Sequence, residues 1–158
     1  MSVKISADST CDLSRELTEK YKIAIAPLSV VIDGHSYHDG VDVTPENIFR
    51  AVEEGKTVQT AAVNQFEYEE LFRGLLRESD EVVHFCISRD MSSCYSDACE
   101  AAERVGHVYV VDSRSLSTGT GLLVLEAAEM AAMGRSGREI AQRETERTGQ
   151  VCATFTVQ

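Results

Sequence analysis

Residues Val82 to Tyr95 constrain this chain more than any other stretch. Val82-Val-His-Phe-Cys-Ile87 is short, apolar and rich in β-branched and aromatic residues, so it reads as a buried strand. A polar turn, Ser88 to Ser93, follows it. Cys94, Ala98, Ala101, Ala102 and Val105 then recur at helical spacing, which starts a helix near Ser92. A strand entering a helix through such a turn puts free backbone N–H groups, with the Ser92 and Ser93 hydroxyls, at a helix N-terminus. That end carries partial positive charge and suits a carboxylate or a phosphate. Capping alone also accounts for Ser92, so the turn by itself leaves an anion site open.

The same strand-to-helix alternation runs through the chain. Val3 to Ala7 reads as a first strand, Asp8 to Leu13 as a polar turn and Ser14 to Tyr21 as a helix. Ile23 to Ile32 is extended and broken at Pro27, and Asp33-Gly34 signals a hairpin that returns through His35 to Tyr37. Thr44 caps the next helix, with Pro45 in its first position, Asn47 reaching back, and Ile48, Phe49 and Val52 as its buried face. After Gly55, Thr57 to Ala62 forms a short strand or an extended turn. A helix capped by Asn64 and Glu67 then buries Tyr68, Leu71, Phe72 and Leu75.

Beyond the central strand and helix, Gly106 to Val111 is β-rich. Thr118 to Met133 carries Leu122, Leu125, Ala128, Ala131 and Ala132 near one stripe and stops at Gly134. Ser136 caps a last, polar helix to about Arg147, and Gln150 to Val157 begins a strand. The expected fold is α/β: a mainly parallel sheet with helices on both faces and a small inserted β-hairpin. Three strands end in hydroxyl-bearing turns, at Asp8–Thr10, Ser88–Ser93 and Asp112–Ser117, and Thr60 supplies a fourth such end. Their convergence at one sheet edge would form a polar, anion-friendly mouth.

Several function classes are disfavoured. The chain has 158 residues and a formal net charge of −11 without a basic run, so nucleic-acid and anionic-membrane partners are not expected. It has no apolar run of membrane-spanning length and no signal-peptide profile at Met1 to Asp8. Cys11, Cys86, Cys94, Cys99 and Cys152 are an odd set with no Cys-x-x-Cys, which fits free thiols in a reducing cytoplasm. Gly119-Thr-Gly121 lacks a third glycine, and phosphate-loop, nucleophile-elbow and metalloprotease motifs are missing. His35, His38, Asp39 and Asp42 have metal-ligand types without metal-ligand spacing. Cys94 reads as a core-facing thiol, because no histidine is placed beside it. Binding through hydroxyls and backbone N–H groups is expected, with no enzymatic step, metal or cofactor.

Six pieces stand out in order: Asp8-Ser-Thr-Cys-Asp-Leu13; Pro27-Leu28 with Tyr37-His-Asp-Gly-Val-Asp42; Thr60 before a Glu-rich helix; Ser92-Ser-Cys-Tyr95; Val111-Asp-Ser-Arg-Ser115; and Gly121-Leu-Leu-Val-Leu-Glu-Ala-Ala128. Together they resemble the N-terminal half of the DegV family of bacterial fatty-acid-binding proteins, over essentially the whole chain. The resemblance implies non-catalytic binding of a long-chain fatty acid between two domains. The carboxylate is held by a Thr-Ser-Gln-Pro turn and a Ser-Gly-Thr-Tyr turn, and the lipid is presented to a separate fatty-acid kinase. Carried over, Thr60 and Ser92 match these turns.

The departures are specific. Ser93 stands for the family's Gly, Cys94 for its Thr, Ala61 for its Ser, and Ala62-Val63 for its Gln-Pro. The missing hydroxyl at Ala61 is worth about 1.5–3 kcal/mol toward a charged acceptor. The chain is expected to be one α/β domain over residues 1–158, without the family's second domain. The acyl pocket is then half open, with apolar surface that a homodimer could cover. Two other readings remain at this point: a phosphoryl-transfer enzyme or accessory subunit, and a truncated domain that binds no lipid.

Overall fold

The computed structural model describes residues 2–154 and 156. Its elements are β1 (Val3–Asp8), α1 (Arg15–Lys20), β2 (Ala24–Ala26), β3 (Ser29–Ile32), β4 (His35–His38), α2 (Pro45–Glu53), β5 (Val58–Ala61) and α3 (Gln65–Leu75). β6 (Glu81–Cys86), α4 (Cys94–Val105), β7 (Val108–Asp112), α5 (Thr118–Ala132) and α6 (Gly137–Arg147) follow. β2, β1, β6 and β7 form a parallel sheet in that order, and β4, β3 and β5 form a separate antiparallel sheet. Pro27 and Leu28 lie between β2 and β3 and carry the chain from one sheet to the other. Asp33 and Gly34 turn the hairpin with φ of 47° and 81°, the paired positive angles a two-residue turn between twisted strands needs. Among the described residues, no helix is long and apolar enough to cross a membrane.

Side chains alternate across the parallel sheet, as the pleat requires. Ile5, Ala7, Val83, Phe85 and Val111 form one core with Leu123, Val124 and Ala127 of α5 and Ile140 of α6. Val82 and Cys86 form the other with Tyr68 and Phe72 of α3 and Cys94, Ala98 and Ala101 of α4. All six residues of β6 are buried, which suits a central strand covered on both faces. Polar groups beside the second core meet at Asp8. The Asp8 Oδ1 atom accepts the Tyr68 hydroxyl at 2.6 Å and His84 Nε2–H at 3.1 Å, and Oδ2 accepts the Ile87 N–H at 3.0 Å. His84 Nδ1 shares a further hydrogen bond with Ser6 Oγ at 2.9 Å. A carboxylate that only accepts therefore places the imidazole proton on Nε2.

Four of the expected local patterns change in the packed molecule. On α2, Phe49 and Val52 are 68% and 57% exposed, and Ala51 is the buried residue. That helix turns Asn47, Arg50 and Ala51 toward Ile32 and Tyr37 of the small sheet and toward Val43 in the loop before α2, a surface too limited to cover a full apolar stripe. On α5, Leu122 is 61% exposed and Ala132 is exposed, while Leu123, Val124, Ala127 and Ala128 are buried. This helix packs on both the sheet and α6, so its buried arc takes adjacent positions rather than one stripe. It also packs closely: a Cβ on Gly121 would lie 2.8 Å from the Cys11 carbonyl oxygen. The expected strand from Gln150 does not form in the described residues, since Thr148–Gln150 is a 3-10 turn and 151–154 and 156 pair with no sheet edge. Positions 155 and 157 lie outside the described residues. The last helix is polar outside but buries Ile140 and Glu144.

The two Glu144 carboxyl oxygens are sealed and have no hydrogen-bond partner. Burial, reinforced by Glu126, pushes this carboxyl up from 4.5 to about 7, while Arg147 and Arg143 pull the other way. Because the folded value lies above the unfolded one, the folded state holds the proton more tightly. The contribution of Glu144 to stability is full below about pH 4.5 and declines as pH rises through about 7, a loss of about 3 kcal/mol. Urea midpoints measured from pH 5 to 8 should fall for the wild type relative to Glu144→Gln, and parallel curves would refute this assignment.

A second prediction concerns Asp8. Tyr68→Phe should cost about 1.5–3 kcal/mol, one hydrogen bond to a charged group, with an unchanged urea m value. Asp8→Ala strands three donors and should cost about 3–5 kcal/mol. Equal losses for the two variants would show that Asp8 does not integrate the cluster.

Candidate functional site

In the parallel sheet, β1 leads outward to β2 on one side and β6 to β7 on the other, so the topological switch lies between β1 and β6. Open α/β sheets bind ligands beyond the strand ends at such a point. The turns after β1, β6 and β7 do converge there. The Ser117 N–H donates to the Thr10 carbonyl at 2.8 Å, and the Ser88 N–H to the Ser115 carbonyl at 2.9 Å. Ser113 and Thr120 share a buried hydrogen bond at 2.9 Å. Asp8 itself is fully buried beneath this edge. Ser9 is not a free ligand group either: its hydroxyl donates to Asp39 at 2.7 Å and accepts the Leu28 N–H at 3.1 Å, tying the small sheet to the large one. Thr10 Oγ1 is sealed from solvent and has no partner.

The four residues singled out for ligand binding come from two places. Ser92 is half-buried just before α4, where its Oγ accepts the Cys94 N–H at 3.2 Å and donates its proton to Cys94 Sγ at 3.2 Å. Ser93 is exposed and forms the cap position of α4 without a capping bond; its hydroxyl donates to Asp97 at 2.9 Å. Thr60 and Ala61 are exposed and lie in β5, paired with Val30 and Ser29 of β3. Thr60 therefore belongs to the antiparallel sheet and is not a fourth end of the parallel one. The loop that follows it returns to the mouth, where the backbone of the buried Val63 lies beside the Cys94 thiol and acts to lower its pKa. Among the described residues, no hydrogen bond joins Thr60 or Ala61 directly to Ser92 or Ser93.

The electrostatics of the mouth favour hydrogen bonding over nucleophilic attack. Burial pushes the Cys94 thiol up, the Asp8 charge adds to this, and bonds from Ser92, Tyr68 and Val63 oppose it. The thiol is fully buried, as a core-facing cysteine should be. Burial likewise raises the Tyr68 phenol far above its ordinary value and Cys86 well above its own. The histidine and aspartate cluster of the hairpin is a turn. Asp42 accepts His38 N–H at 3.1 Å and sits 3.0 Å from His38 Nδ1, and the backbone bond is the first cause of its lowered carboxyl pKa.

Among the described residues, the set with metal-ligand types that does converge is Asp8, His84 and Cys86, with ligand atoms within 4.8 Å of one another. All three are fully buried, and Asp8 and His84 bond each other. The available signal for this centre was a histidine inside an otherwise apolar strand. Its partners Asp8 and Tyr68 stand in distant segments, so their union becomes visible only in the fold.

A family model described as "Uncharacterised protein, DegV family" matches residues 2–158. A DegV domain-containing protein of Caldanaerobacter subterraneus subsp. tengcongensis is 37% identical over 140 residues, which are 87% of this chain and 50% of the relative. A solved structure described as fatty acid binding of a DegV family protein from Thermus thermophilus has a TM-score of 0.86 and 32% identity, covering 95% of this chain and 54% of that one. A fatty-acid (stearic acid)-binding protein from Eubacterium ventriosum has a TM-score of 0.80 and 31% identity, covering 90% and 52%. The chain thus spans about half the length of the curated relatives it matches. Sequence match and fold agree over nearly all of it, and the chain belongs to the DegV family.

Proposed function

We propose that this chain binds the carboxylate end of a long-chain fatty acid at the mouth between the β6–α4 turn and the β5–α3 loop, without catalysing a reaction, for presentation to a fatty-acid kinase. The observation that carries this reading is the state of Ser92. Its hydroxyl stands at the N-terminus of a 12-residue helix, and its proton rests on a thiol. Sulfur is a weak acceptor, so turning the proton toward a carboxylate loses little and gains a charge-assisted bond. The helix end favours the same charge. Thr60 is the second donor, exposed and unencumbered at the end of β5. Ser93 contributes through the helix terminus rather than its hydroxyl, which Asp97 already occupies.

The relatives whose descriptions name fatty-acid binding share this fold and support the ligand class. The acyl tail would leave the mouth over apolar side chains in the first turns of α3 and α5 and in the β6–α4 turn. Phe66, Met91 and Leu122 are 67%, 54% and 61% exposed, and a second domain is the cover the family resemblance implies for them.

Solvent extraction and mass spectrometry of the purified chain should recover about one fatty acid per molecule. Thr60→Ala combined with Ser92→Ala should weaken binding by at least about a hundredfold, from two charge-assisted bonds of about 1.5–3 kcal/mol each. Ala61→Ser should tighten it by about tenfold through the restored hydroxyl. A chain that takes up no fatty acid, or a double variant that binds like the wild type, would overturn the reading.

A further inference from the structure

We infer that Asp112, at the end of β7, is a positioning residue for carboxylate binding: it clasps the turn that carries Ser92 to the neighbouring β7–α5 turn. This rests on the fatty-acid reading of the Ser92 site. The Asp112 Oδ1 atom accepts two backbone N–H groups, from Arg89 at 3.2 Å and from Arg114 at 2.9 Å. The side chain is 10% exposed, and Oδ2 faces the Arg89 Nε at 3.4 Å. One carboxylate thus spans both turns from within the edge of the sheet.

The position of the Arg89 tether in the turn gives it leverage. Ile87 is held from below by Asp8, and Ser88 is held by the Ser115 carbonyl. After Arg89 the turn closes on itself: Asp90 N–H donates to Ser88 Oγ at 3.3 Å and Met91 N–H to the Ser88 carbonyl at 2.9 Å. Ser92 bonds forward, to Cys94. The Arg89 N–H is therefore the last backbone donor before Ser92 that reaches outside the turn, and Asp112 is what it reaches. On the other side, Arg114 has a φ of 50°, a left-handed angle that costs a non-glycine residue free energy unless its surroundings hold it. Its N–H on Asp112 supplies that hold.

The clasp works through an acceptor atom, not through charge. A negative side chain near a carboxylate site would by itself repel the ligand, and the exposed guanidinium of Arg89 offsets it. The conservative variant separates these effects. Asp112→Asn keeps an oxygen in the Oδ1 position and removes the charge, whereas Asp112→Ala removes the acceptor.

Fatty-acid affinity and amide hydrogen exchange should be measured on wild type and both variants. Asp112→Ala should bind at least tenfold more weakly, mainly through faster dissociation, with faster exchange at the Arg89 and Arg114 amides and unchanged exchange at Val83 and Phe85. Asp112→Asn should stay within threefold of wild type. Asp112→Ser, too short to reach both amides, should repeat the loss if the alanine variant does not fold. Wild-type affinity in Asp112→Ala, or equal weakening in the alanine and asparagine variants, would overturn the clasp while leaving the fatty-acid reading intact. A wild-type chain that takes up no fatty acid would overturn the fatty-acid reading and the positioning role together.

Discussion

A buried carboxylate organises this domain. Asp8 sits at the end of β1 with no exposure, where an unpaired charge would be intolerable. Its oxygens are matched by the Tyr68 hydroxyl, His84 Nε2–H and the Ile87 N–H, which come from α3, from β6 and from the first residue beyond β6. In a low-dielectric interior such bonds are strong when complete and costly when broken. The requirement fixes three things together: how deep α3 seats, how β1 and β6 register, and where the β6–α4 turn departs. The proposed ligand mouth is built on the third of these.

The same carboxylate sets the chemical character of what lies above it. Burial and the Asp8 charge both keep Tyr68, Cys86 and Cys94 in their protonated forms. A phenol and two thiols held neutral can donate or accept hydrogen bonds but are poor nucleophiles. The overall charge of −11 does not prevent a local anion site, because screening over about 8–10 Å leaves nearby donors and a helix terminus in control. Local acids still matter. Asp97 accepts the Ser93 hydroxyl and shares the positive end of α4.

Much of the fold was legible because its signals are local. The caps at Thr44, Asn64 and Ser136 all accept the backbone donors expected of them and form complete capping boxes. Asp33-Gly34 turns as read, and β6 is buried throughout. The faces of α2 and α5 were not legible, since periodicity identifies an apolar stripe without saying what surface exists to cover it. Phe49 had too little sheet to face, and α5 had two surfaces at once. Thr60 was read as an end of the parallel sheet because a short strand carries no mark of which sheet it joins. The Asp8 centre pairs residues 60 and 76 positions apart, a separation that no local pattern spans.

Two linkages set where Thr60 stands relative to Ser92. Ser9 ties the small sheet to the end of β1 through Asp39 and Leu28, and Val63 meets the Cys94 thiol at the start of α4. Cys94 therefore belongs to both halves of the mouth, one from the loop after β5 and one from the turn before α4. The family resemblance places a threonine there. A threonine hydroxyl would be a stronger partner for Ser92 and a ligand donor in its own right. The thiol instead holds the Ser92 proton weakly and leaves it to be redirected. With Ala61 unable to donate, the site proposed above concentrates carboxylate recognition on Ser92 and Thr60. The placement of the Ser92 turn then governs affinity more directly than in a site with redundant hydroxyls.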